Sequence, residues 1–259
     1  MRDNKERNLA VLIDAENVPA KKIKEIMVEI ATYGLPTIKR IYGDWTDTSV
    51  KGWKQVLLEN AITPIQQYSY TTGKNSSDSA MIIDAMDILY TGNVQGFCLV
   101  SSDSDFTRLA TRLREAGVIV YGLGEKKTPA PFRAACDKFT YIEVLSAHTV
   151  ETDSTKDSTP KEQAKALKLS GIPEDIIKLI ANSISAVEDD DGWAFLAEVG
   201  NLISKKQPDF DPRNYGFYKL TPLVKSIPYF EIEERETGRS TIKHIYIRIK
   251  QSEASRLGY

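Results

Sequence analysis

The chain has 259 residues, a length that accommodates one domain of roughly 150 residues and a smaller second one. Its formal net charge of -2 excludes a globally basic nucleic-acid-binding composition, although local basic patches remain compatible with it. The two cysteines form neither a zinc-type spacing nor a disulfide framework, which favours a cytoplasmic location. We find no secretory signal, and no apolar stretch reaches the roughly 18 residues of a membrane span.

Strand-length apolar runs alternate with amphipathic stretches in the first half of the chain. The runs lie at 9–13, 37–42, 62–68, 97–101 and 118–123, with a shorter one at 140–144. Helical spacing of apolar residues separates them, at 23–30, 50–57, 80–90 and 106–113. This alternation predicts an α/β fold with helices on both faces of a mostly parallel sheet and strand order 3-2-1-4-5.

Aspartates follow two of the predicted strands. Asp14 follows the first run, and Asp103 and Asp105 follow the fourth. Because ligand sites of such sheets lie outside the carboxyl ends of the strands, we expect these carboxylates to converge in one crevice. They would repel one another unless a cation joined them, and hard oxygen ligands suit Mg²⁺ or Mn²⁺. Helix capping is the local alternative for each acid, but one cap does not need both Asp103 and Asp105.

The predicted third helix contributes a further acid. Asp78 stands in its first turn and is expected to be the third metal ligand, and its plainest alternative is an interaction with the helix dipole. Asp84 lies roughly 120° further round the helix and is a weaker candidate. The one histidine of this half, His148, falls at its end. The acids therefore favour attack by a metal-activated water over histidine-based hydrolysis.

We assign polar residues near these acids to substrate binding. Asn17 has a phosphate contact and local turn bonding as alternatives, and Asp44 ends the second strand at the border of the crevice. Hydroxyl groups flank Asp103, where the amide groups of a helix start add donors for an anion. The residues assigned to substrate binding in this half are Asn17, Asp44, Lys74, Ser102 and Ser104.

The composition changes near residue 148. We predict a first domain at 1–147, a polar flexible linker at 148–170 and a second domain at 171–259. Helical stretches in the second domain precede strands at 229–233 and 242–249, which is a small winged-helix α+β layout. Arg213 and Lys219 are candidate phosphate contacts among aromatic residues, and their alternative is to be merely solvated.

Three segments of the first half resemble the NYN domain of the LabA/DUF88 type, within the PIN-like nuclease superfamily. They are Leu12-Ile-Asp14-Ala-Glu-Asn17, Lys74-Asn-Ser-Ser-Asp78 followed by Ile83-Asp84, and Val100-Ser-Ser-Asp103-Ser-Asp105-Phe106. The resemblance implies a PIN-like three-layer sandwich and a divalent-metal ribonuclease centre. By matching position, the catalytic and metal-binding acids would be Asp14, Asp78, Asp103 and Asp105.

The second half resembles an OST-HTH, or LOTUS, domain over about residues 173–250. The matching segments begin at Asp191-Gly-Trp193, at Pro208-Asp-Phe210 and at Ile227-Pro-Tyr-Phe230, and the middle one runs on to Tyr215-Gly-Phe-Tyr-Lys219-Leu. This resemblance implies binding of RNA and, in some members, of helicases or other RNA-processing proteins.

Three functions stay open on the sequence alone. The first is a Mg²⁺- or Mn²⁺-dependent ribonuclease with a tethered RNA-binding domain. The second is a non-catalytic RNA-binding adaptor with a vestigial acidic site. The third, a phosphatase-like or TOPRIM-like enzyme, fits Asp14 and Asp78 less well. RNA is the expected partner and a membrane is not, while a homo-oligomer stays open.

Overall fold

The computed structural model describes residues 6–46, 52–68, 76–148, 171–236 and 243–251. The chain divides into two compact units, residues 1–151 and 152–259. Lys74 and all of the predicted linker except residue 148 lie outside the described residues. Among the helices that are described, none has the length and apolar character needed to cross a membrane.

Parallel strands form the sheet of the first unit. They are β1 (Asn8–Asp14), β2 (Leu35–Gly43), β3 (Thr63–Gln66), β4 (Gly96–Val100), β5 (Ile119–Gly124) and β6 (Lys138–Tyr141). Their order, β3-β2-β1-β4-β5-β6, confirms the predicted 3-2-1-4-5 order and adds β6 at one edge. β1 and β4 are neighbours, with Ile13 opposite Val100, so the segments that follow them start side by side.

Helices cover both faces of this sheet. One face carries α1 (Ile23–Ala31) and α2 (Trp53–Asn60), and the other carries α3 (Ser76–Thr91), α4 (Thr107–Glu115) and α5 (Ala130–Ala135). Val11 and Ile13 of β1 enter the first core, whereas Ala10 and Leu12 enter the second. Because both faces of β1 are buried, its sequence is continuously apolar rather than alternating.

The second unit is a small α+β fold with its own core. It contains α6 (Glu174–Ile184), α7 (Leu196–Lys206), α8 (Leu220–Lys225), β7 (Ala194–Phe195), β8 (Phe230–Glu236) and β9 (Lys243–Ile249). The strands form an antiparallel sheet in the order β7-β9-β8. Ile247 of β9 is buried against the helices while Arg248 is not, because successive side chains of a strand point to opposite faces of the sheet. Three helices and a β-hairpin give the expected winged-helix layout.

Candidate metal centre

Asp14 ends β1 and is almost fully buried, with 2% of its surface exposed. Its Oδ1 accepts a hydrogen bond from the backbone N–H of Glu16 at 3.0 Å. Its Oδ2 accepts from Asn17 Nδ2 at 2.7 Å and from Ser101 Oγ at 2.8 Å. The carboxylate is therefore held in one orientation, and the amide of Asn17, assigned to substrate on the sequence, bonds Asp14 in the structure.

The segment after β4 carries the next two acids. Asp103 precedes a single 3₁₀ turn, Ser104–Phe106, and its Oδ1 accepts a hydrogen bond from the backbone N–H of Asp105 at 2.9 Å. The backbone N–H of Asp103 donates in turn to Ser101 Oγ at 3.1 Å. Ser101 thus connects the ends of β1 and β4. The cap predicted as an alternative for these acids exists, and it uses one oxygen of Asp103.

Three carboxylates converge at this edge of the sheet. Asp78, Asp103 and Asp105 each bring one oxygen atom within 4.8 Å of the others. Asp78, in the first turn of α3, is buried, while Asp103 is half-buried and Asp105 is exposed. The first turn of α3 and the loop after β4 therefore meet where the sequence places a metal site.

The neighbouring charges act strongly on Asp78. Burial, followed by the charges of Asp14, Asp103, Asp105 and Glu16, raises the pKa of its carboxyl group from 3.8 to about 7. Every one of these influences opposes the ionised form. A divalent cation would replace this repulsion by attraction, and the donors are the hard oxygens that Mg²⁺ and Mn²⁺ prefer. The residues present therefore fit such an ion.

Glu16 is the acid that the sequence reasoning missed. It is exposed, and its charge contributes to the raised pKa of Asp78. Its position two residues after Asp14, in the loop beyond a buried strand, was the available signal.

Three other residues predicted to contact substrate lie at the same edge of the sheet. Asp44 follows β2, and its Oδ1 accepts from the backbone N–H of Thr46 and from Gln66 Nε2, both at 3.0 Å. Ser102 Oγ accepts from the backbone N–H of Glu125 at 2.8 Å, which ties the loop after β4 to that after β5. Ser104 is exposed within the 3₁₀ turn. Asp44 and Ser102 therefore already serve local structure.

Asp84, the weaker candidate, has a different environment from Asp78 although both belong to α3. Its carboxylate accepts hydrogen bonds from Arg40 and from the hydroxyl of Tyr42, two residues of β2. The bond to Asp84 raises the pKa of Arg40, and burial followed by the same partner raises that of Tyr42. Asp84 is thus paired with residues of β2 and does not belong to the acid cluster, the group formed by Asp78, Asp103 and Asp105.

The two basic candidates of the second unit also differ. Arg213 forms an ion pair with Asp211, Nη2 to Oδ2 at 2.6 Å, and the two side chains are only 12% and 9% exposed. Lys219 is exposed and forms no ion pair within the described part of the chain. Its neighbour Tyr218 is 68% exposed. Arg213 is therefore paired within its own turn, whereas Lys219 is presented to solvent.

Comparison with known domain families identifies both units of the chain. The NYN domain model matches residues 8–143, which span the whole acid cluster. The chain belongs to the NYN domain family. The OST-HTH/LOTUS domain model matches residues 168–242, which confirms the predicted order of the two domains. NYN domains are PIN-like nuclease domains and LOTUS domains bind RNA, so this pair indicates an RNA-related nuclease or binding role.

Similar solved structures carry no function in their names. A protein of unknown function from Vibrio parahaemolyticus is 20% identical over 55% of this chain and 96% of its own, with a TM-score of 0.46. An uncharacterised protein from Nitrosomonas europaea is 34% identical over 39% of this chain and 83% of its own, with a TM-score of 0.26. A protein from Chromobacterium violaceum is 34% identical over 31% of this chain and 84% of its own, with a TM-score of 0.25. No curated protein matches.

Proposed function

We propose that the NYN domain hydrolyses RNA phosphodiester bonds with Mg²⁺ or Mn²⁺ held by Asp14, Asp78, Asp103 and Asp105. The observation that carries this proposal is the convergence of three carboxylate oxygens within 4.8 Å at the carboxyl edge of the sheet. The raised pKa of Asp78 supports it, because acids kept in mutual repulsion are a common mark of a functional site. The LOTUS domain would supply RNA binding.

Asp14 is suited to a ligand role by its hydrogen bonds. An ionised carboxylate offers about four lone-pair sites, and Asp14 uses three of them on Glu16, Asn17 and Ser101. The remaining site is held in a fixed direction, as ligands of a preorganised metal site are. A bound divalent ion would acidify a water ligand and neutralise charge on the phosphate in the transition state.

The LOTUS domain would act by keeping RNA near the acids. Tethering a second binding domain turns cleavage of a bound strand into an effectively intramolecular encounter, at an effective concentration set by the linker. The polar residues predicted as a linker, 148–170, would provide such a tether. Phosphate and base contacts would then be divided between the two domains.

Two substitutions test the nuclease. Purified full-length protein is incubated with labelled single-stranded, structured and G-rich RNAs in Mg²⁺, Mn²⁺ or EDTA. We expect Asp14→Asn and Asp103→Asn to lower the cleavage rate by at least about 10²-fold, because electrostatic stabilisation of the transition state is the main catalytic effect here. Asp87→Asn is the matched control, since Asp87 is an exposed acid on α3. Product ends should be a 5′-phosphate and a 3′-hydroxyl.

The same purified proteins distinguish the nuclease hypothesis from the non-catalytic adaptor hypothesis. Both active-site variants should still bind RNA through the LOTUS domain. Full Mn²⁺-dependent cleavage by both variants would overturn the assignment of the acids. Tight RNA binding by the parent protein with no cleavage and no Mn²⁺ binding at the acids would favour the adaptor.

A further inference from the structure

We infer that residues 211–219 of the LOTUS domain, the 211–219 loop, bind one nucleotide of single-stranded RNA through Tyr218 and Lys219. In this arrangement the tyrosine ring stacks on the base and the ammonium group contacts the phosphate. The inference rests on the RNA-binding part of the proposed function and is independent of whether the NYN domain cleaves.

The loop is built on an internal ion pair. Asp211 Oδ1 accepts from the backbone N–H of Arg213 at 2.9 Å, and Arg213 Nε donates to both oxygens of Asp211 at 3.0 Å. The carbonyl of Asp211 accepts from Asn214 N at 3.0 Å, and that of Pro212 accepts from Phe217 N at 3.1 Å. Gly216 completes the turn with φ +79°, which a residue with a side chain rarely adopts.

The loop divides its aromatic residues by exposure. Tyr215 and Phe217 pack against the core of the domain, where they anchor the loop. Tyr218 instead leaves 68% of its surface in solvent. The loop therefore presents one aromatic side chain to solvent, and Lys219, the next residue along the chain, is exposed as well. Every base has a π-face, and stacking with a neighbouring cation is how proteins hold unpaired nucleotides.

The charge of the loop favours a phosphate. Asp211 is its only acid, beside Arg213 and Lys219, so its formal charge is +1 in a chain of net charge -2. The ion pair with Arg213 neutralises Asp211 inside the domain. Lys219 consequently determines the charge that the loop displays. An anionic polymer with flat bases matches both exposed groups, whereas a partner helix would need a wider apolar face.

RNA binding by full-length protein in EDTA, without cleavage, tests this contact. A labelled single strand of about 12 nucleotides is titrated by fluorescence anisotropy. Tyr218→Ala should weaken binding about fivefold to 150-fold, as loss of one stacked base predicts, while Tyr218→Phe should bind like the parent. Lys219→Gln should lower the slope of log affinity against log salt by about 0.7, as loss of one phosphate contact predicts.

The controls are an exposed tyrosine and an exposed lysine elsewhere. Tyr90→Ala removes a ring that is 72% exposed on α3, and Lys178→Gln removes an ammonium group that pairs with Glu174 on α6. Circular dichroism verifies that every variant folds. Parent-like affinity and salt dependence for both Tyr218→Ala and Lys219→Gln would overturn the inference, as would a parent protein that binds no RNA. Protein that binds as expected but never cleaves would support this contact and contradict only the nuclease.

Discussion

One buried aspartate of each domain, Asp78 and Asp211, has nearly the same exposure as the other but the opposite electrostatic environment. Asp78 of the NYN domain is 8% exposed and Asp211 of the LOTUS domain is 7% exposed. Asp211 is compensated by the guanidinium of Arg213, whereas the charges that raise the pKa of Asp78, among the described residues, are those of four other acids. Burial alone therefore does not distinguish a structural acid from a functional one. The sign of the surrounding charge does, because an acid surrounded by like charges must take up a proton or bind a cation to be neutralised.

The same contrast occurs within α3. Asp84, which lies further along this helix than Asp78, pairs with Arg40 and with the hydroxyl of Tyr42. One helix thus carries an acid that stabilises its packing on β2 and another that faces like charges. Substitutions of the compensated acids or their partners should change stability, and those around the uncompensated acids should change ion binding.

The largest expected effect is on the Asp211–Arg213 pair. Arg213→Ala leaves a buried carboxylate without its cation, so the LOTUS domain should lose about 3–5 kcal/mol of unfolding free energy. Hydrogen exchange at residues 208–220 of the full chain reports it, with Lys225→Ala as control. The Lys225–Glu234 pair is exposed and should contribute at most about 1 kcal/mol. A loss for Arg213→Ala no larger than the control's would show that Asp211 needs no compensation.

The next largest effect is expected for Ser101, a residue to which we assign no contact with the substrate. Ser101→Ala removes the hydroxyl that orients Asp14 and accepts from the backbone N–H of Asp103. We expect Mn²⁺ affinity to fall about 10–100-fold by isothermal titration calorimetry, as for partners that orient metal ligands. Ser102→Ala is the matched control, because that hydroxyl bonds Glu125 instead. Equal Mn²⁺ affinities for the two variants would rule out an orienting role for Ser101.

Asp84→Asn should give a smaller change, confined to stability. The variant weakens charged hydrogen bonds to Arg40 and Tyr42, so the unfolding free energy should fall by about 1–2 kcal/mol, since the pair is partly exposed. Chemical denaturation measures this loss, with Asp87→Asn expected to resemble the parent. Mn²⁺ affinity should not change. A large loss of Mn²⁺ affinity would place Asp84 in the metal centre and remove the contrast within α3.

The fold and the common position of three acids at one edge of the sheet could be predicted from the sequence for identifiable reasons. Continuous apolar runs predicted buried parallel strands, and adjacency of β1 and β4 follows from the strand order. Asp14, Asp103 and Asp105 follow those strands, so their common edge was predictable. The helical angle between Asp78 and Asp84 correctly separated their positions, because side chains on a helix diverge by a fixed rotation per residue.

The hydrogen-bond partners of individual side chains could not be predicted from the sequence in the same way. Asn17 and Arg213 have side chains typical of substrate contacts, yet they bond Asp14 and Asp211. Which partner a flexible side chain takes depends on atoms brought together by folding, and the spacing of residues does not encode it. Glu16 lay within a motif that the sequence singled out, but its electrostatic influence depends on the position of α3, which local pattern does not give.

The smallest expected effect is the change in stability on substituting Asp78, and its sign tests the contrast between Asp78 and Asp211. Its pKa is raised to about 7 in the folded protein, so between about pH 4 and 7 the folded state holds a proton that the unfolded state has lost. Stability of the metal-free protein should therefore fall as pH rises through this window, and Asp78→Asn should remove that dependence. Asp103 and Asp105 are at least partly open to solvent, which screens their repulsion of Asp78. In EDTA near about pH 8 we therefore expect the variant to be more stable than the parent by only about 1 kcal/mol, or roughly 2–4 °C in Tm.

Manganese should reverse this order, because the ion stabilises only a protein whose acids can bind it. With Mn²⁺ the parent should gain Tm and Asp78→Asn should gain little, which differential scanning calorimetry resolves. If Asp78→Asn were less stable than the parent in EDTA near about pH 8, Asp78 would be compensated within the chain as Asp211 is. The electrostatic argument for a cation at the acid cluster would then fail, although the three carboxylates would still lie together.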